Sequence, residues 1–310
     1  TTCLEIQCVL KKANSKASIP PAKTPINAYV TIPAPMQINL SYYAHLGQCS
    51  HFMQAAQTAA NALAAKVRFI HNGYMQNERQ HAACPLIHLA SADSTNRVAR
   101  SLFLDGRHLP FAVVADRQTA GRGRQGRTFY SPHGSGLYFT YAGVPPEGRT
   151  PGQITCAAAV AAVEAIFSVY GIRAGIKWIN DLVFAGRKVG GILAEQSGSQ
   201  LLLVGIGINI WTADFPDELL DLAGSLFGDA PASDRRLELA AALCRILDQH
   251  FSAEPAETMA HYRQSLVHLN RPILVRSGTL AGKRILTREI DQYGRLVAES
   301  EDGAMHVLED

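Results

Sequence analysis

Two short stretches concentrate residues able to do chemistry. The first is Gln118 to Arg127 (QTAGRGRQGR), where glycines and arginines alternate directly after the apolar run Phe111–Ala115. Glycine lets the backbone approach a ligand closely. Arginine supplies planar, permanently charged donors suited to carboxylate and phosphate oxygens. A loop of this composition reads as a flap that closes over an anion. The second stretch is Gly175 to Gln196, in which Lys177-Trp-Ile-Asn-Asp181 sets a cation, an indole, an amide and a carboxylate between apolar runs. Asn180 and Asp181 carry oxygens of the kind magnesium accepts together with phosphate and water. A tight turn is expected at Gly186-Arg-Lys188, followed by a strand from Val189 whose Gly190 and Gly191 mark a close approach of backbone or ligand. The competing reading of Lys177, Asp181 and Lys188 is surface charge at strand ends.

The literal GxGxxG at Gly121, Gly123 and Gly126 matches the dinucleotide fingerprint only in spelling. That fingerprint must open a helix, whose N-terminus holds the pyrophosphate. Here an aromatic-rich strand pattern, Gly136-Leu-Tyr-Phe-Thr-Tyr141, comes next instead. An RNA-binding arginine–glycine segment would be long and repetitive, and this one is a single copy.

The elements that must position these stretches are legible. Leu86–Ala90 reads as a strand and Ser94-Thr-Asn96 as the start of a helix running to Phe103. Capping is the plain role of that triplet, and gripping a polar ligand is the alternative. Thr150-Pro-Gly-Gln153 has the form of a capping box opening a helix that Gly171 ends. It is apolar nearly all round, which predicts burial against a sheet. Leu201–Ile210 is a buried strand interrupted by Gly205 and Gly207, with the Asn209 amide at its end. Phe215–Asp229 predicts a loop with a short helix, and Arg235–Phe251 and Ala256–Leu266 predict two amphipathic helices. From Arg271 short alternating strands with turns at Ser277-Gly278, Tyr293-Gly294 and Asp302-Gly303 predict a small β-barrel. Its last strand is expected to be cut short at Asp310.

The chain has 310 residues, 47% hydrophobic and 18% charged, enough for two domains. A net charge of +3 argues for neither a nucleic-acid nor a membrane partner. The six cysteines form no CxxC pair and fit reduced thiols rather than a zinc site or disulfides. The longest apolar stretch, Ile154–Val163, is too short to span a bilayer. No signal-peptide pattern opens the sequence, so a cytoplasmic location is expected. Residues 1–84 lack periodicity. Lys11–Pro35, rich in Pro, Lys, Ala and Thr, is expected to be loop or disorder. Gln54–Val67 suggests an alanine-rich helix. No helix-turn-helix pattern is seen, so specific DNA binding is not expected. Met75 is the expected natural start, and no function is assigned before residue 85.

Taken in order, the Ser94–Asn96 triplet, GRGRQGR, KWIND, GRKVGGILAE and GIGIN resemble a biotin–protein ligase over Leu86–Asp310. The resemblance implies an α+β fold. A mixed-sheet catalytic domain of class II synthetase-like, biotin/lipoate ligase type would span 85–270, and a small SH3-like β-barrel 271–310. It implies formation of biotinyl-5′-AMP from biotin and ATP with Mg2+, then transfer to a lysine of a biotin carboxyl carrier domain, typically of acetyl-CoA carboxylase. It implies a biotin pocket of Ser94, Thr95, Asn96, Gln118 and Gly205, with Gly121, Arg122, Gly123 and Arg124 on the flap. Lys188 would contact the biotin carboxylate and Gly191 the ligand through its backbone. Arg124, Arg127, Lys177, Asn180 and Asn209 would serve ATP, and Asp181 the metal. Lys188, Arg124 and Lys177 would be the catalytic cations. A homodimer is left open. The family usually has proline at the position of Ile179, and the winged-helix repressor domain of some members has no counterpart in this sequence. A lipoate-type ligase shares the general plan and is the alternative, with a non-catalytic RNA-binding protein as a second.

Overall fold

A computed structural model of the chain describes strands within residues 7–69, then residues 84–276 and 279–309. The chain divides into two compact units: Thr1–Val67 with Ser101–His108, and Arg68–Arg100 with Leu109–Asp310. In the first, β1 (Gln7–Cys8), β2 (Ile26–Thr31) and β3 (Gln37–Tyr42) form an antiparallel sheet. This corrects the loop expected over Lys11–Pro35. Ile26–Thr31 contains Tyr, Val and Thr, and its non-local pairing with Gln37–Tyr42 outweighs the surrounding composition. The expected helix at Gln54–Val67 and the start at Met75 lie outside the described residues.

The second unit is built on eight strands: β4 (Arg68–Phe69), β5 (Leu86–Leu89), β6 (Phe111–Ala115), β7 (Gly136–Gly143), β8 (Gly175–Lys177), β9 (Asp181–Phe184), β10 (Arg187–Ser197) and β11 (Leu201–Asn209). Their order is β4-β5-β6-β7-β11-β10-β9-β8. The β5–β6 pair, joined through helix α1 (Thr95–Leu104), is parallel and the remaining neighbours are antiparallel, so the sheet is mixed.

Helices α2 (Pro151–Tyr170), α3 (Arg236–Ser252) and α4 (Pro255–Ser265) supply the core on one face of this sheet. The capping box forms as the sequence predicts: Gln153 N donates to Thr150 Oγ1 at 3.2 Å, and Thr150 N to Gln153 Oε1 at 2.9 Å. Gly171 closes α2 in the left-handed region at φ 71°. α2 is long and apolar enough to cross a membrane, but most of its residues are buried in the core. Side chains alternate across a strand. Leu137, Phe139 and Tyr141 on β7, Ile192 on β10, and Leu202, Val204, Ile206 and Ile208 on β11 therefore pack with the helices. The opposite face is left to Thr140, Gly191, Leu193, Glu195, Gly205 and Gly207.

The C-terminal strands β12 (Pro272–Leu274), β13 (Arg284–Ile290), β14 (Leu296–Ser300) and β15 (Met305–Leu308) form a small antiparallel sheet in chain order. Its turn at Gln292–Gly294 touches the start of α2 and the turn between β8 and β9. Gln153 Nε2 donates to Gln292 O at 2.9 Å, Thr150 Oγ1 to Tyr293 O at 3.2 Å, and Trp178 Nε1 to Gly294 O at 2.9 Å.

Candidate active site

The glycines do their work through strand register. Gly191 lies opposite Gly207, and Gly205 opposite both Leu193 and Thr140, so three neighbouring strands expose a nearly bare patch of sheet. Side chains from elsewhere lie on it. A Cβ added to Gly205 would come within 2.5 Å of Asn96 Oδ1, and one on Gly207 within 2.5 Å of the Phe129 ring. Gly191 meets Lys188, with Nζ at 3.6 Å from the same constructed position.

Ser94, Thr95 and Asn96 are buried at the start of α1. Their side chains do more than cap. Thr95 donates through its backbone N (2.9 Å) to Gln118 Oε1, with Thr95 Oγ1 3.2 Å from the same oxygen. Gln118 Nε2 donates to Ser131 Oγ at 3.0 Å, whose hydroxyl donates to Phe129 O. Thr140 Oγ1 lies 2.8 Å from Thr95 Oγ1 and donates to Asn96 Oδ1 at 2.6 Å. Asn96 Nδ2 donates to Glu195 Oε2 at 2.8 Å, and Glu195 Oε1 pairs with the Arg122 guanidinium at 3.2 Å. The flap is thus wired to the pocket floor. Thr140 and Glu195 belong to this network and were not singled out in the sequence. Each is a polar residue on the glycine-bearing face of its strand, and that parity was the available signal.

The flap itself is a short hairpin. Arg122 bridges Thr128, Gly123 N donates to Arg127 O at 2.7 Å, and a 3-10 turn spans Arg124–Gly126, with Gln125 and Gly126 at φ 54° and 73°. Gly121 is buried because Phe129 O and Ser131 Oγ stand where its side chain would be, at 2.5 and 2.6 Å. Arg127 points to solvent. Arg124 stands over a small cleft lined by Pro151, Ile154, Thr155, Ile192 and Leu193 among others. Burial depresses its pKa, and the charge of Asp181 acts against that.

The KWIND segment turns the β8–β9 hairpin, with Lys177 opposite Asp181. Asp181 carries an ion pair with Lys188 and lies opposite Gly191. The turn joining β9 to β10 is Ala185–Gly186 (φ 49° and 77°), one residue earlier than the sequence suggests, and Arg187 already pairs with Phe184. The peptide before Ile179 is cis. Ile179 is buried, its carbonyl accepts from Tyr262 Oη at 3.0 Å, and Asn180 exchanges hydrogen bonds with Ile192 through O (2.9 Å) and Nδ2 (3.0 Å).

Not all the expected residues converge. Lys177 is exposed and its charge bears on His268, whose pKa is lowered to about 4 by burial first and by Lys177 second. Asn209 is buried, its Nδ2 donating to Gly224 O at 3.1 Å, and its Oδ1 has no hydrogen-bond partner among the described residues. Gly224 N in turn donates to Lys188 O at 2.8 Å, so Asn209 is linked to Lys188 through that loop.

Residues 89–210 match the biotin/lipoate A/B protein ligase family. The bifunctional ligase/repressor BirA of Bacillus spizizenii is 34% identical over 236 residues, 70% of each chain. The biotin–[acetyl-CoA-carboxylase] ligase of Paracoccus denitrificans is 33% identical over 69% of this chain and 94% of its own. Among solved structures, the Aquifex aeolicus biotin protein ligase in complex with biotin and ATP superimposes with a TM-score of 0.61 at 28% identity, over 72% of this chain and 94% of that one. With the mixed sheet, the paired glycines and the arginine flap all in register, the chain belongs to the biotin/lipoate A/B protein ligase family, among its biotin–protein ligases.

Proposed function

We propose that the chain activates biotin with ATP to biotinyl-5′-AMP and passes the biotinyl group to one lysine of a biotin carboxyl carrier domain, that of acetyl-CoA carboxylase. The observation that carries this reading is the pairing of Lys188 with Asp181 beside the bare Gly191, with the charge of Asp181 also acting on Arg124 of the arginine loop. A carboxylate and a triphosphate repel each other, and cations held in place before they arrive offset that repulsion. Lys188 would leave Asp181 for the biotin carboxylate, with Gly191 lending its backbone. Gly205, the buried Ser94, Thr95 and Asn96, and the partly buried Gln118 would hold the polar head of biotin.

The first step needs no protein nucleophile. A biotin carboxylate oxygen bonds to the α-phosphorus and the bond to pyrophosphate breaks. In the second, the carrier lysine's neutral amine attacks the acyl carbon and AMP leaves with the C–O bond's electrons. The chain's task is to position the two anions and exclude water. Gly121, Arg122, Gly123 and Arg124 would close over the adenylate, Arg127 and Lys177 would meet the phosphates, and Asn180 and Asn209 would shape that end. Asp181 offers a single carboxylate opposite Gly191, which suits magnesium that takes its other ligands from phosphate and water. When bound, Mg2+ would neutralise the departing pyrophosphate.

We assign residues 85–270 to this catalytic domain and 271–310 to an SH3-like barrel, with the reaction in the cytoplasm. ATP–pyrophosphate exchange run with biotin, with lipoate and with no acid tests the reading. Biotin-dependent exchange is the expected result. Exchange with lipoate alone would replace the substrate, and exchange with neither would overturn adenylation.

A further inference from the structure

We propose that Glu164, His250 and His261 form a binding site for one divalent transition-metal ion of the zinc class, clamping α2, α3 and α4 together. One donor comes from each helix. His250 Nε2 lies 2.9 Å from Glu164 Oε2, and His261 Nδ1 lies 3.1 Å from Glu164 Oε1. All three groups have a donor atom within 4.8 Å of the others. Two imidazole nitrogens and a carboxylate are a zinc donor set, and donors about 2.0 Å from one ion in tetrahedral array stand about 3.3 Å apart. Small side-chain shifts would admit the ion.

The surroundings fit a ligand site. His250 is buried, and its other nitrogen, Nδ1, lies 3.4 Å from the hydroxyl of buried Thr258. Anchoring one imidazole nitrogen orients the ring and leaves the other for the metal. The two imidazoles stand edge to face at 5.8 Å, so each presents an edge to the carboxylate without stacking over it. His261 is half exposed, which gives an entry path and room for water as a fourth ligand. Along α2 the site lies about 14 Å of helix beyond Thr155, which lines the cleft under Arg124. It is therefore a separate, structural site.

The test uses chelator-stripped full chain with Co2+ and Zn2+ as probes. Wild type should take up one Co2+ with visible d–d absorption, and stoichiometric Zn2+ should raise the melting temperature. His261→Ala, exposed and so tolerated by the fold, should weaken Co2+ binding by more than about tenfold and abolish the Zn2+ shift. Glu164→Gln should do the same. Absence of the spectrum and the shift in wild type would overturn the proposal. So would an equal response in His261→Ala, or the near-ultraviolet charge-transfer band that marks cysteine ligation.

Discussion

Arg122, in the middle of the glycine–arginine flap, is paired with Glu195 on the central sheet, guanidinium to carboxylate at 3.2 Å. Because the other oxygen of Glu195 accepts from Asn96, the flap and the pocket floor share one carboxylate. Glu195→Gln keeps an acceptor for Asn96 and removes the charge that holds Arg122. A half-exposed pair contributes about 1 kcal/mol or less, so the KM for biotin should rise by up to about fivefold while the melting temperature barely moves. Steady-state exchange kinetics beside a thermal melt would check both.

Gly205→Ala places a methyl 2.5 Å from Asn96 Oδ1. Asn96 must then move, and its bonds to Thr140 and Glu195 move with it. Overpacking of this kind costs about 1–3 kcal/mol. Urea unfolding should show that loss, and biotin binding by calorimetry should weaken with it.

Arg124→Ala removes a partly buried flap cation on which the charge of Asp181 acts. An open flap exposes a mixed anhydride to water. The variant should release biotinyl-adenylate into solution, measured in ultrafiltrates of reactions lacking a carrier. Full retention of the intermediate would remove the flap from this role.

His268 predicts a pH dependence. Its folded pKa of about 4 lies below the unfolded value near 6.5. Between those values the unfolded chain binds a proton the folded chain does not, so this residue's contribution is present above pH 6.5 and is lost as pH falls toward 4. Allowing for its remaining solvent contact, the loss from pH 7 to pH 5 should be about 1 kcal/mol. His268→Gln should flatten that slope in urea titrations, whatever it does to stability at pH 7.

Much of the site could be read from sequence because its chemistry is local. Lys177, Asn180 and Asp181 fall in one turn, the flap arginines in one loop, and the Thr150–Gln153 box in one helical turn. What escaped depends on register. Thr140 matters because it lies opposite Gly205, and Glu195 because it shares a face with Gly191. Neither relation exists until distant strands pair. The β2–β3 hairpin was missed for the same reason, since a long-range partner decided it against local composition. Ile179 also could not be judged from one position, because its support comes from Tyr262 on α4.

The contact between Gly294 and Trp178 has consequences for tolerance to change. Gly294 sits at φ 89°, and a side chain there would meet Gly152 at 3.0 Å and Cys156 Sγ at 3.1 Å. The turn that carries it holds Trp178 and Gln153 at once. Saturation mutagenesis scored by biotinylation should therefore show two separate intolerant zones, the flap and this turn. Because Gly294 O accepts from Trp178, a substitution at Gly294 should also disturb the KWIND turn.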